Sequence, residues 1–124
     1  MSEHTLKQED LAYFYGSQQW FRHWIVKSVI WTEGAQYVWE SGGAYWLCDE
    51  IAFRQMDRKA VKNEPFQVWD LKVENSSGVL TCEDGDGKVI YKKKLDYTDF
   101  PLPHIRFFVE SDGQNRTIML PSER

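Results

Sequence analysis

The sequence predicts an α+β fold: N-terminal helices packed on one face of an antiparallel β-meander of about five strands, in a single domain spanning residues 1–124. Apolar residues keep helical spacing from Ala44 to Met56, and from Phe66 onward the spacing changes to two. Turn-forming clusters then divide the second half at Asn75-Ser76-Ser77-Gly78, Asp84-Gly85-Asp86-Gly87 and Ser111-Asp112-Gly113-Gln114-Asn115.

Residues 7–15 suit a brief helix stopped by Gly16, which can take a left-handed cap. Gln18 to Trp31 is dense in rings, and Val26, Val29 and Ile30 favour extended structure late in it, while a helical turn around Trp20 is equally readable. Thr32 can accept from an exposed helix N–H and Glu33 sits in the positive first turn, so a helix runs from there through Glu40. Gly42-Gly43 breaks it. The next helix places Ala44, Leu47, Cys48, Ile51 and Ala52 on one stripe, with Asp49, Glu50, Arg54 and Asp57 mostly facing away. Asp57 to Glu64 is charged and Pro65 cannot donate to a ladder, so a loop is expected there.

Trp69, Leu71 and Val73 alternate with Asp70 and Lys72 in the first long strand. Val79 to Glu83 and Lys88 to Lys94 form the clearest hairpin, and the register expected sets Cys82 opposite Val89 and Leu80 opposite Tyr91. Pro101 and Pro103 make Tyr97 to Pro103 a connector. Ile105, Phe107 and Val109 define another strand, and Ile118 and Leu120 continue its face beyond the last turn.

Composition narrows the function classes. The 19 Phe, Trp and Tyr residues exclude wholesale disorder, and no apolar run is long enough to cross a bilayer. A net charge of -4 and a pI near 5.3 disfavour nucleic acid, which needs a clustered basic face. Met1 to Asp10 is polar, unlike a signal peptide, and Cys48 and Cys82 stand far apart with no CxxC pair, so a reduced cytoplasmic protein without a membrane partner is expected.

The strings Gly42-Gly43-Ala44-Tyr45-Trp46-Leu47, Leu80-Thr81-Cys82-Glu83-Asp84-Gly85-Asp86-Gly87, Thr98-Asp99-Phe100-Pro101 and Thr117-Ile118-Met119-Leu120-Pro121-Ser122-Glu123 resemble a family of small uncharacterised bacterial proteins. That family is a domain of unknown function with members in cyanobacteria and on phage or plasmid DNA. The resemblance runs from Phe14-Tyr15-Gly16 to Pro121-Ser122-Glu123 and implies a one-domain cytoplasmic protein of unassigned role and mobile-element origin. It transfers no functional residue.

Asp84-Gly85-Asp86-Gly87 opens like a calcium loop, but an EF-hand starting at Asp84 would put Leu95 where the bidentate Glu belongs, so it reads as a hairpin turn. Cys48 with His4, His23 or His104 could form a thiol and base, yet Cys48 lies on the apolar stripe beside two acids, which oppose a thiolate. No zinc spacing exists, and no metal, cofactor or catalytic residue is expected. Lys92-Lys93-Lys94 with Lys88 reads as a basic ridge that protects an edge strand, and Arg106 or His104 could extend it.

Trp20, Arg22, His23, Trp24, Lys27, Trp31 and Trp46 are the candidate binding residues, because six tryptophans exceed what so small a core needs. The expectation is a non-enzymatic protein-interaction module that uses these rings on another protein or on its own copy. The alternative is a binder of a small ligand or of single-stranded nucleic acid through the aromatic and basic segment 20–31.

Overall fold

The computed structural model describes residues 6–16 and 18–124. A 3₁₀ turn, Gln8–Tyr13, precedes strands β1 (Trp20–Arg22) and β2 (Val29–Thr32). Helices α1 (Glu33–Ser41), α2 (Tyr45–Asp57) and α3 (Lys59–Lys62) follow. Five strands come next: β3 (Phe66–Glu74), β4 (Ser77–Asp84), β5 (Val89–Leu95), β6 (His104–Ser111) and β7 (Arg116–Met119). A second 3₁₀ turn spans Pro121–Glu123.

The class is α+β, but the sheet differs from a five-stranded meander. It has seven strands in the order β1-β2-β7-β6-β3-β4-β5, and β2 runs parallel to β7. The longer helices therefore lie between β2 and β3 rather than ahead of the sheet. Val29 and Ile30 lie in β2, extended as their β-branching favours, while Trp20 lies in β1 and not in a helical turn: Trp20 pairs with Thr32 and Arg22 with Ile30. Asp57 to Glu64, expected as a loop, contains the single turn of α3, where Val61 turns into the core.

Thr32 caps α1 as its chemistry predicts, its hydroxyl accepting from the Ala35 N–H at 3.3 Å. In β3, β4 and β6 alternate residues enter the core: Trp69 and Leu71, Leu80 and Cys82, and Ile105, Phe107 and Val109. Leu47, Cys48, Ile51 and Ala52 of α2 cover that face. The connection from β3 to β4 is a two-residue turn, with Asn75 and Ser76 both at positive φ (53° and 64°), so Gly78 falls inside the strand.

The β4–β5 register is two residues away from the expected one. Cys82 pairs with Tyr91 and Leu80 with Lys93, then a bulge sets Glu83 against Val89. A shift of two keeps Tyr91 on the core face, which is why alternation alone could not distinguish the registers. Asp84 fixes the turn by accepting from the N–H groups of Asp86 and Lys88 at 2.9 and 3.0 Å. Lys93 consequently lies on the helix-covered side of the sheet, where it meets Glu50 at 3.0 Å while staying solvent-exposed, and Val89 is half exposed.

The core holds a satisfied polar knot. Gln67 and Gln55 exchange amide hydrogen bonds at 2.7 and 2.8 Å. Gln67 also donates to the carbonyls of Val61 and Glu64 and accepts from the Trp69 indole N–H. These bonds tie α2, the end of α3 and β3 together, so the buried amides are paired as their desolvation requires.

At the other end, the carboxylate of Glu123 closes the β2–α1 junction. It accepts from the Thr32 hydroxyl at 2.6 Å and from the N–H groups of Gly34 and Leu120, both at 3.0 Å. A Cβ on Gly34 would stand 2.4 Å from Oε1 of that carboxylate. Pro121-Ser122-Glu123 thus ends in a group that serves the positive end of α1.

Candidate functional site

The connection between β1 and β2 folds around His23. Its ring is fully buried, and Nδ1 accepts from the N–H groups of Ile25 and Val26 at 3.0 and 2.9 Å. Nδ1 is thereby occupied as an acceptor, so the proton lies on Nε2, which donates to Asp49 at 2.8 Å. The two N–H bonds to Nδ1 turn the chain around the ring, with Val26 buried and Trp24 and Ile25 on the outside. Trp24 is 47% exposed and Ile25 57%.

Trp24 stacks on His23, with ring centroids 4.3 Å apart and planes 24° from parallel. It meets Trp31 edge-on at 6.1 Å and Tyr45 at 6.2 Å. Trp31 in turn contacts Trp39, which stacks on Phe107 at 5.0 Å. A continuous run of rings thus leads from an exposed indole to the centre of the core, which holds the tip in place.

The seven sequence-derived candidates do not form one surface. His23, Trp24 and Trp31 come together, but Trp31 is buried and gives its indole N–H to Gln36 at 2.7 Å. Trp20 is 56% exposed and lines a shallow cleft on the opposite sheet face with Thr32, Met119 and Arg124. Arg22 bonds to the Lys27 carbonyl and to Asn115, a tie between loops, while Lys27 itself is exposed. Trp46 is half-buried beside Leu95, Tyr97 and Thr98, at a separate depression. Ile25, Tyr45 and Asp49 belong to the Trp24 surface and were missed, since they come from a turn tip and a helix whose approach no local pattern encodes.

Both cysteines are free and buried, and burial raises both thiols, with the nearby charge of Asp49 adding to the effect at Cys48. His4, one of the bases considered for such a thiol, lies outside the described residues. Among the described residues, no group of three or more His, Cys, Asp or Glu is placed to hold a metal ion, and no helix is long and apolar enough to cross a membrane.

The uncovered sheet face carries a second arrangement. Asp70 pairs in register with Arg106, one step from the Lys72–His104 pair. Its carboxylate takes Nε and Nη2 of Arg106 at 2.9 and 3.1 Å, and Nε2 of His104 at 2.7 Å. Burial alone would raise the Asp70 carboxyl, but the hydrogen bonds from Arg106 and His104 outweigh it and hold the group below its usual range. Lys72, Lys92 and Lys94 share this face without an ion pair among the described residues, whereas Lys93 is diverted to Glu50.

Fold and sites together define an α+β domain with helices on one face of a mixed seven-stranded sheet and an aromatic tip at one corner. The chain belongs to the DUF6876 family, a family of unknown function whose model matches residues 5–124. Its fold is similar to the crystal structure of a protein of unknown function from Enterococcus faecalis, with a TM-score of 0.57 and 22% identity over 78% of this chain and 90% of that one. Comparison with curated proteins gave no match.

Proposed function

We propose that this chain is a non-enzymatic protein-interaction module whose contact surface is the tip formed by Trp24 and Ile25, flanked by Tyr45. The observation that carries this reading is the exposure of two large apolar side chains on a turn that buried His23 pins from behind. Such a tip loses little freedom on docking, and a large ring held over an ordered base is the kind of anchor that dominates interface energy. The fitting partner is a protein with an apolar groove that takes an indole and a branched aliphatic chain. The cytoplasm and a bacterial, mobile-element origin remain part of this proposal, drawn from the family resemblance.

The test is affinity capture with the wild-type chain and a Trp24→Ala, Ile25→Ser variant, after circular dichroism shows both folded. Sedimentation of the free chain is run alongside. A protein held by the wild type and lost from the variant is the expected result, and the variant should weaken binding at least 30-fold, the size of an anchor worth about 2 kcal/mol. Equal capture by both forms, or a monomer that captures nothing, removes the tip as an interaction surface.

A further inference from the structure

Strand β7 stops at Met119, opposite Phe108, so among the described residues the part of β6 from His104 to Phe107 has a strand neighbour on the β3 side alone. The chain turns away at Pro121, and the first 3₁₀ turn crosses the gap from the helix side. What remains is a cleft of about 350 Å³, within the size range of small-ligand sites. Because it wraps the end of a sheet, it draws on both faces. Leu11, Ile105 and Leu120 supply apolar walls, while His104, Arg106 and Ser122 supply polar ones.

The polar wall is organised from beneath. Asp70 is 3% exposed and binds both side chains, whose outer parts stay about half exposed at 47% for His104 and 48% for Arg106. Two hydrogen bonds lock the Arg106 fork while Nη1 makes none with Asp70, and the His104 ring is held through Nε2. The adjacent pair on the same two strands, Val68 and Phe108, is apolar, and apolar pairs commonly replace buried ion pairs at no loss. Asp70 thus fixes the Arg106 guanidinium and the His104 ring at the mouth of the cleft.

We propose that this cleft is a binding site for a small anion, a carboxylate or phosphate carried on a compact apolar body. The anion sits against Nη1 of Arg106 and the Ser122 hydroxyl, which can both donate to it, and the apolar body packs on Leu11, Ile105 and Leu120. This site is separate from the Trp24 tip and stands or falls independently of it.

The probes are hexanoate, phenyl phosphate, inorganic phosphate and the neutral hexanamide, titrated into 15N-labelled protein while amide shifts are followed. Hexanoate or phenyl phosphate should move the amides of Leu11, Ile105, Arg106 and Ser122 and bind at least tenfold tighter than hexanamide. Hexyl phosphate compared with hexanoate, which shares its linear chain, then identifies the headgroup. Ala12→Trp, which fills the cleft without touching Asp70, should abolish those shifts. The paired Asp70→Leu, Arg106→Leu change removes both charges together, which protects the fold, and should erase the preference over hexanamide. Four outcomes would overturn the proposal: no shifts at saturating probe, shifts centred elsewhere, equal binding of hexanamide, or inorganic phosphate binding as tightly as both organic anions.

Discussion

Removing the Glu123 carboxylate should destabilise the fold far more than its position beyond the last strand suggests. The group accepts three hydrogen bonds, from the Thr32 hydroxyl and from the Gly34 and Leu120 N–H groups. Net values for bonds to a charged group run about 1.5–3 kcal/mol each, and they do not add fully within one carboxylate. Thr32 keeps its bond from the Ala35 N–H, and water can reach part of the junction, so Glu123→Ala should cost about 3 kcal/mol. For a domain of this size that lowers Tm by about 12 °C. Glu123→Gln keeps one oxygen acceptor and should cost about half as much. Gly34→Ala should act through the same contact, because its Cβ would displace the carboxylate, so the double variant should fall short of the sum of the singles. Urea unfolding followed by tryptophan fluorescence measures all four forms. A loss below about 1 kcal/mol for Glu123→Ala, or strict additivity with Gly34→Ala, would refute the reasoning.

Three further outcomes follow from the same kind of accounting. Gln67→Leu should cost about 3 kcal/mol in urea unfolding, because it strips the buried Trp69 indole N–H and the Gln55 amide of partners, and a loss under 1 kcal/mol would contradict the polar knot. Asp70 has a lowered folded pKa, so its contribution is present at neutral pH and is lost as pH falls through the range below about 4. Thermal melts against pH should therefore show a shallower acid limb in Asp70→Asn than in wild type. Cys48 and Cys82, buried and with raised pKa, should resist a thiol reagent in native buffer and react at once in urea, and rapid native labelling of either would contradict their placement.

Where local chemistry decides an element, the sequence is readable. Thr32 and Glu33 announce α1, the stripe from Ala44 to Ala52 announces α2, and the alternation from Phe66 onward announces β3 to β7. What pattern cannot carry is partnership between distant segments. Nothing local to Val29, Ile30 and Trp31 says that they lie parallel to Arg116, Thr117 and Ile118. The candidate site shares this limit. Trp24 could be singled out as a ring in excess of core needs, but its neighbours Tyr45 and Asp49 reach it from α2. Asp70 looked like one more outward residue of an alternating strand, and only the pairing of β3 with β6 sets it beneath His104 and Arg106.

The parallel pairing of β2 with β7 also dictates an order of assembly. Strands β3 to β6 join neighbours through short or moderate connections, so they can pair with one another before β1, β2 and β7 are in place. β1 and β2 emerge from the ribosome before every helix, yet β2 has no sheet to enter until Arg116 to Met119 are synthesised, and the junction it shares with α1 lacks Glu123 until later still. During that interval the ring-rich segment from Trp20 to Trp31 waits without its final neighbour. It is the stretch of the nascent chain with most to gain from a chaperone.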